Sequence, residues 1–157
     1  MNDVVYNIEV LNDELRREIT PILEEHRLEL SRYEDMILNP DWKMYNAMQE
    51  NNKLRIYTAR DRFTDVLLGY TVFFLIDNPH YCDFLYAHQD VFYVVQNKRG
   101  TRIAYNLIKK SEEQLKEDGV TIIVHHTKLI NKFGQMLDKL GYSQAEIMYH
   151  KRIDLWW

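Results

Sequence analysis

"YVVQNKRGTRIAYNLIKK", residues 93–110, decides how this chain is read. It runs from β-like residues through one glycine into a basic helix. A strand feeding a helix through a tight turn is the unit from which α/β sheets are built. Gly100 stands where the backbone has to turn and can approach a ligand closely. Lys98, Arg99, Arg102, Lys109 and Lys110 are five cations, with no acid anywhere in 98–110. The first three sit at the positive pole of the helix, where cations are disfavoured. An anion offsets that clash, and free N–H groups beside these side chains suit a phosphate or pyrophosphate. A solvated basic helix start is the competing reading. Neither G-x-x-x-x-G-K-[ST] nor G-x-G-x-x-G is present, so neither a P-loop nor a Rossmann site is supported.

Upstream, "KLRIYTAR" (53–60), "DRFTD" and "VLLGYTVFFLI" (66–76) read as strand, turn and strand, most simply a hairpin. "NPHYCD" (78–83) reads as a loop and "LYAHQDVFYVV" (85–95) as the strand entering the opening stretch. Ile103, Leu107, Ser111 and Leu115 share one face of a helix over 100–118. "GVTIIVHH" (119–126) is nearly continuously apolar, which predicts a strand buried centrally in the sheet. Ile130, Phe133, Leu137 and Leu140 then mark a helix stopped by Gly141, and "SQAEIMYHKRIDLW" (143–156) a final strand. Towards the N-terminus, "VVYNIEV" (4–10) alternates as a half-buried strand does. A helix follows over 11–30, capped by Asn12 or Asp13, and Pro21 is expected to kink or divide it. "NPDWKMYNAMQENN" (39–52) is a short helix with the stripe Trp42, Tyr45, Met48. The order is β-α-α-β-β-β-α-β-α-β: an α/β (α+β) chain whose central mixed sheet combines antiparallel hairpins with parallel crossovers.

At 157 residues, 46% hydrophobic and 28% charged, the chain is expected to form one domain, 1–157, without disordered linkers. The lone Cys82 precludes an internal disulfide and suits a reducing compartment; a partly buried, inert thiol is expected. The N-terminus has no basic and apolar leader, and "YTVFFLI" is too short to span a bilayer, so a cytoplasmic location without a membrane partner is expected. A net charge of −4 argues against a general nucleic-acid binder.

The element order and residues 93–110 resemble the GNAT (Gcn5-related) N-acetyltransferase superfamily. Its motif [Q/R]-x-x-G-x-[G/A] heads a helix after a strand ending in Val. "RGTRIA" matches at Arg99 and Ala104 and departs at the central glycine, which is Arg102 here. "MLDKLGYSQAEIMYHKRI" (136–153) is similar to the family's "LYEKLGF" and last strand. The wording across the chain is particularly similar to small GNAT proteins of tailed bacteriophages.

The resemblance implies acetyl-CoA as co-substrate, lying between the "VFYVV" and "TIIVHH" strands. Backbone groups of Tyr93, Val94 and Val95 would bond its pantetheine arm, with one N–H polarising the thioester. Lys98, Arg99, Gly100, Thr101, Arg102, Ile103 and Ala104 would hold its pyrophosphate, and Asn131 resembles a coenzyme-contacting residue. Direct attack by an amine needs a base and often an acid. His88, Asp90, Phe92 and Val94 share one strand face by alternation, and Asp90 or His88 lies near the family's usual base. The family's acidic Tyr falls on Leu137, so Tyr142, Tyr149 or a water would substitute. His125 and His126 point to opposite faces of their strand and no metal motif is present, so they read as structural and no metal is expected.

Residues 11–35 carry eight acids against four arginines, and the family's first helices border the acceptor site. A cationic amine or lysine-bearing acceptor is expected there, against the plainer reading of a solvated acidic face. Trp42 and Tyr45 either line that cleft or pack the core. The terminal "LWW" implies a homodimer or a partner that covers it. The implied function is acetyl-CoA-dependent N-acetylation of a primary amine. The alternative is an inactive GNAT-fold binding protein serving as a phage virion component or host-factor inhibitor.

Overall fold

A computed structural model describes residues 3–31, 33, 35–128 and 132–154. The elements are β1 (Val4–Glu9), α1 (Asp13–Leu30), α2 (Trp42–Glu50), β2 (Leu54–Asp61), β3 (Leu67–Asn78), β4 (Tyr81–Val94), α3 (Ile103–Glu117), β5 (Val120–Val124) and α4 (Phe133–Lys139). They divide into two compact units, Met1–His126 and Thr127–Trp157.

The first unit holds one five-stranded sheet of order β1-β2-β3-β4-β5. β1 to β4 are successive antiparallel neighbours, and β5 joins β4 in parallel, with α3 as the crossover that parallel pairing requires. The mixed α+β sheet read from the sequence is therefore the one observed. The β3–β4 hairpin is longer than expected. Asn78 pairs with Tyr81, and the Asn78 side chain accepts from the His80 N–H at 2.9 Å, so the expected loop shrinks to a tight Asx turn. Cys82 thus lies in a strand near the hairpin tip and is exposed rather than partly buried. Gly69 has a packing reason: a Cβ there would lie 2.8 Å from the Tyr93 carbonyl oxygen on β4.

Each face of the sheet has its own core. On one, Leu11, Leu15 and Ile19 pack against Leu54, Ile56, Tyr70, Val72, Val91 and Tyr93, with Trp42, Tyr45 and Met48 of α2 half-buried beside them. On the other, Ile103, Leu107 and Leu115 of α3 pack against Tyr57, Ala59, Leu68, Phe73, Leu75, Ala87 and Val94. Ser111 completes the expected α3 stripe, 1% exposed, its hydroxyl donating to the Ile108 carbonyl. Helix α1 starts at Asn12, whose side chain accepts from the Leu15 N–H at 2.8 Å. Pro21 does not divide it: Leu15 and Ile19 before the proline and Ile22 and Leu23 after it pack on the same cluster, which holds one helix across it.

Two expectations fail. β5 is an edge strand, not a central one, and its Thr121 and Ile122 are exposed. The expected final strand does not form: the described residues 143–154 carry neither helix nor strand. Ile147, Met148, Tyr149 and Ile153 are 68–89% exposed, so this segment buries no apolar face of the kind that stabilises a strand. The second unit contains α4, ended by Gly141 at φ 91° as the sequence predicts.

Candidate active site

The site begins with an irregularity in β4. Val91 pairs with Val72 and Gln89 with Phe73, so Asp90 has no partner on β3. One extra residue makes a β-bulge, which bends the strand and shifts its side-chain alternation by one. Asp90 and His88 stay on the α1/α2 side, but Val91 and Tyr93 follow them there, while Phe92 and Val94 turn towards α3. The expected shared face of His88, Asp90, Phe92 and Val94 is therefore broken after Asp90.

The bulge also marks where β4 and β5 part. Their last pair is His88 with Val124, beyond which β5 ends and β4 runs on to Val94. The Val95 N–H donates to the Leu68 carbonyl at 2.9 Å. By antiparallel alternation the backbone groups of Tyr93 also face β3, and those of Phe92 and Val94 face the opening. Among Tyr93, Val94 and Val95, it is thus Val94 that presents its main chain to the gap.

The loop after β4 makes a short 3-10 turn at Gln96–Lys98 and then passes through Gly100 at φ 81°, where a Cβ would meet nothing within 4 Å. The Thr101 hydroxyl donates to the Lys98 carbonyl at 2.7 Å and accepts from the Ile103 N–H at 3.3 Å, and α3 has no acid in its first turn. That first turn is the positive pole of a 15-residue helix. Arg102 lies over the Tyr105 ring, 5.7 Å from its centroid. Arg99 bends back instead: its Nε donates to the Val94 carbonyl at 2.8 Å, its guanidinium reaches Glu29 at 3.0 Å, and it covers the Tyr93 ring.

Asp90 lies at the mouth of the opening. The Tyr45 hydroxyl donates to its Oδ2 at 2.5 Å, and Tyr45 packs against Trp42 and Phe74. The side chain keeps an exposed edge. The protein around its carboxyl still raises its pKa above the ordinary Asp value, against the lowering pull of Tyr45 and His126. His88 stacks on Tyr86 and approaches His126, with 6.3 Å between ring centroids. His125 points into the α3 side, where it meets Gln89 and the edge of Phe73. Burial, and to a lesser degree His126, hold its pKa at about 4, so it is neutral at pH 7. No cluster of metal-ligating side chains occurs among the described residues. Tyr142 belongs to the second unit, its N–H donating to the Leu137 carbonyl at 3.1 Å, and Asn131 lies outside the described residues.

The acids of α1 are mostly engaged within the chain. Glu18 binds Arg60, Glu24 binds Arg27, Glu29 binds Arg99, and Glu25 accepts from the Tyr93 hydroxyl at 2.8 Å. Three of these acids, Glu18, Glu25 and Glu29, thus tie α1 to the strands and to the loop after β4, while Glu24 pairs within the helix.

No family model matches the sequence, and no curated protein matches it. Solved structures do match in shape. A ribosomal-protein-alanine N-acetyltransferase of Brucella melitensis superposes with a TM-score of 0.69 at 20% identity, over 95% of this chain and 99% of that one. An aminoglycoside acetyltransferase from a soil metagenomic sample, solved with sisomicin, gives 0.73 at 12% identity over 97% of each chain. A Clostridium acetobutylicum protein described as a predicted acetyltransferase, solved with acetyl-CoA, gives 0.72 at 14% identity over 96% of each. The fold is that of the GNAT acetyltransferases.

An acetyltransferase fold gives these features a common reading. The residues present fit a coenzyme: a β4 that runs on past the end of β5, and an α3 start without an acid behind a glycine that leaves open space. Sequence reasoning missed Tyr45 as the partner of Asp90, and Glu25 and Glu29 as the partners of Tyr93 and Arg99. Only Tyr45 carried a signal, through its place beside Trp42 on a short helix.

Proposed function

We propose that the chain is an acetyl-CoA-dependent N-acetyltransferase acting on a primary amine, with residues 1–157 working as one catalytic domain. The observation that supports it most is the conjunction at β4: a bulged carboxylate, a strand that runs on past the end of its parallel neighbour, and a glycine-turned helix start without an acid, in succession. The backbone of Val94 and the α3 first turn would hold the coenzyme, with Lys98 and Arg102 supplying positive charge to its phosphates. Acetyl-CoA supplies the acetyl group activated as a thioester. Asp90 takes a proton from the acceptor's ammonium so that the nitrogen can attack, and a raised carboxyl pKa makes it a better base than a solvated Asp. His88, beside His126 on the same side, is the second candidate for proton movement. Water at the site is the proposed donor to the departing thiolate. The products are the amide, free coenzyme A and one proton released by Asp90. We place the protein in the cytoplasm of a bacterial host, with phage origin as part of the same reading.

A second reading is a GNAT-fold binding protein without turnover. Arg102 at the motif's central glycine and Arg99 held by Glu29 favour it. Thermal-shift titration with acetyl-CoA tests both, since ligand at a hundredfold its Kd adds about 2.7 kcal/mol. A shift together with thiol release from an amine panel supports the enzyme, and a shift without release supports the binder. No shift overturns both.

A further inference from the structure

Two phenolic hydroxyls, on Tyr57 and Tyr70, are fully buried with no hydrogen-bond partner in the structure. A buried hydroxyl without a partner costs its desolvation, and phenylalanine would fill the same space without that cost. The two lie on opposite faces of the sheet. Tyr57 sits in the α3 core, where the Asp118 and Arg55 charges reach it. Tyr70 sits in the α1/α2 core, opposite Tyr93 on β4 and two residues along β3 from Val72, whose partner Val91 adjoins the Asp90 bulge. Tyr45, which donates to Asp90, packs on the same cluster. Burial, then Tyr45 and Asp90, push the Tyr70 phenol up, so it stays protonated. Helix α2, which carries Tyr45, buries no residue completely, whereas Tyr70 is 0% exposed. Of the two helices packed on that cluster, α2 is therefore the less firmly anchored.

Resting on the acetyltransferase reading, we propose that the Tyr70 hydroxyl holds the acceptor nitrogen beside Asp90 once α2 yields to the substrate. A primary ammonium has three N–H donors. Asp90 accepts one, and the oxygens of Tyr45 and Tyr70 accept the others, with Trp42 and Phe74 as aromatic walls. When Asp90 takes its proton, the lone pair forms on the side facing Asp90, and the phenols keep the neutral amine in the site as it turns towards the thioester.

The test compares Tyr70→Phe with Tyr57→Phe as control, using melting temperature, acetyl-CoA affinity, and affinity for spermidine, glucosamine and lysine amide with and without coenzyme A. Both variants are expected to melt at or above the wild type and to bind acetyl-CoA unchanged. The amine that binds the wild type should bind Tyr70→Phe about tenfold or more weakly, with KM raised in turnover, and Tyr57→Phe equally well. Equal amine affinity in Tyr70→Phe overturns the proposal. So does a marked fall in its melting temperature, which would reveal a structural bond, or a wild type that binds no amine of the panel. If acetyl-CoA binds none of the three proteins, the acetyltransferase reading fails instead, and the amine comparison still decides the role of Tyr70.

Discussion

The two faces of the sheet are built differently. The α3 face is cemented by fully buried side chains: Leu107, Ile108 and Leu115 on the helix, Tyr57 and Phe73 on the strands. The α1/α2 face mixes its apolar core with carboxylates, phenols and arginines, and α2 contributes no fully buried residue to it. The bulge at Asp90 feeds both, sending Val91 and Tyr93 to the second face and Phe92 and Val94 to the first. One face thus fixes the β4 edge while the other presents chemistry beside it. A site that must admit a substrate is better placed on the face that can open.

The largest break in this contrast should come from Asp90→Asn. Loss of the proposed base is expected to lower kcat/KM by about 10²–10⁴-fold. Stability should move the other way. A carboxyl with a raised folded pKa contributes stability that is fully present below its unfolded pKa and is lost as pH rises through its folded one. At pH 7 the charged Asp90 is therefore a burden that Asn removes, and urea melts at pH 7 should show equal or higher stability. At pH 3 the advantage should vanish.

The packing side of the comparison is next. Leu107→Ala empties a wholly buried position in the α3 core and should cost about 2–5 kcal/mol in chemical denaturation. Met48→Ala, on the half-buried α2 stripe, should cost less than half as much. Equal losses would mean that α2 is as firmly seated as α3 and would remove the basis for an opening face.

The third test concerns the polar ties of α1. Arg60, 7% exposed, binds Glu9 and Glu18 at 2.7 Å each, and the Glu9 carboxyl also accepts from Thr58. Burial pushes the Glu9 pKa up, but the Arg60 and Thr58 hydrogen bonds outweigh it and the net shift is downward. Its stabilisation is present above the unfolded Glu pKa and lost as pH falls through the lowered folded value. Glu9→Gln should therefore be less stable than the wild type at pH 7 and approach it below pH 4. Arg60→Ala strands two carboxylates and should cost about 3 kcal/mol.

How much of this was legible follows from the kind of signal each part leaves. Periodicity is local, so the hairpin, the α3 stripe and the Gly141 stop could be read from spacing. The glycine-turned helix start could be read because five cations without an acid form a pattern of composition. A bulge leaves no such mark: "HQDVFY" alternates as well with one side-chain parity as with the other, and only the register against β3 shows that Asp90 is unmatched. The central place assigned to β5 rested on apolarity, which does not tell a middle strand from an edge strand beside a helix. Tyr70 looked like any core aromatic, because a missing hydrogen bond is a property of the neighbours.

The smallest expected effect joins the two regions. Arg99 belongs to the motif that should grip pyrophosphate, yet Glu29 of α1 and the Val94 carbonyl hold it against Tyr93. That ion pair is about 40% exposed on either side, so breaking it should change stability by less than about 1 kcal/mol. Its effect on the coenzyme is a matter of competition. A phosphate recruits Arg99 only by drawing it away from Glu29, and removing the carboxylate removes that cost. Glu29→Gln should therefore tighten acetyl-CoA binding about two- to fivefold by calorimetry, an advantage that shrinks as added salt screens the pair. Arg99→Gln should weaken binding whether or not Glu29 is present. If Glu29→Gln leaves affinity unchanged while Arg99→Gln lowers it, Arg99 serves the coenzyme by bracing the β4 edge through Val94. In that case α1 and the coenzyme loop are independent parts of one site.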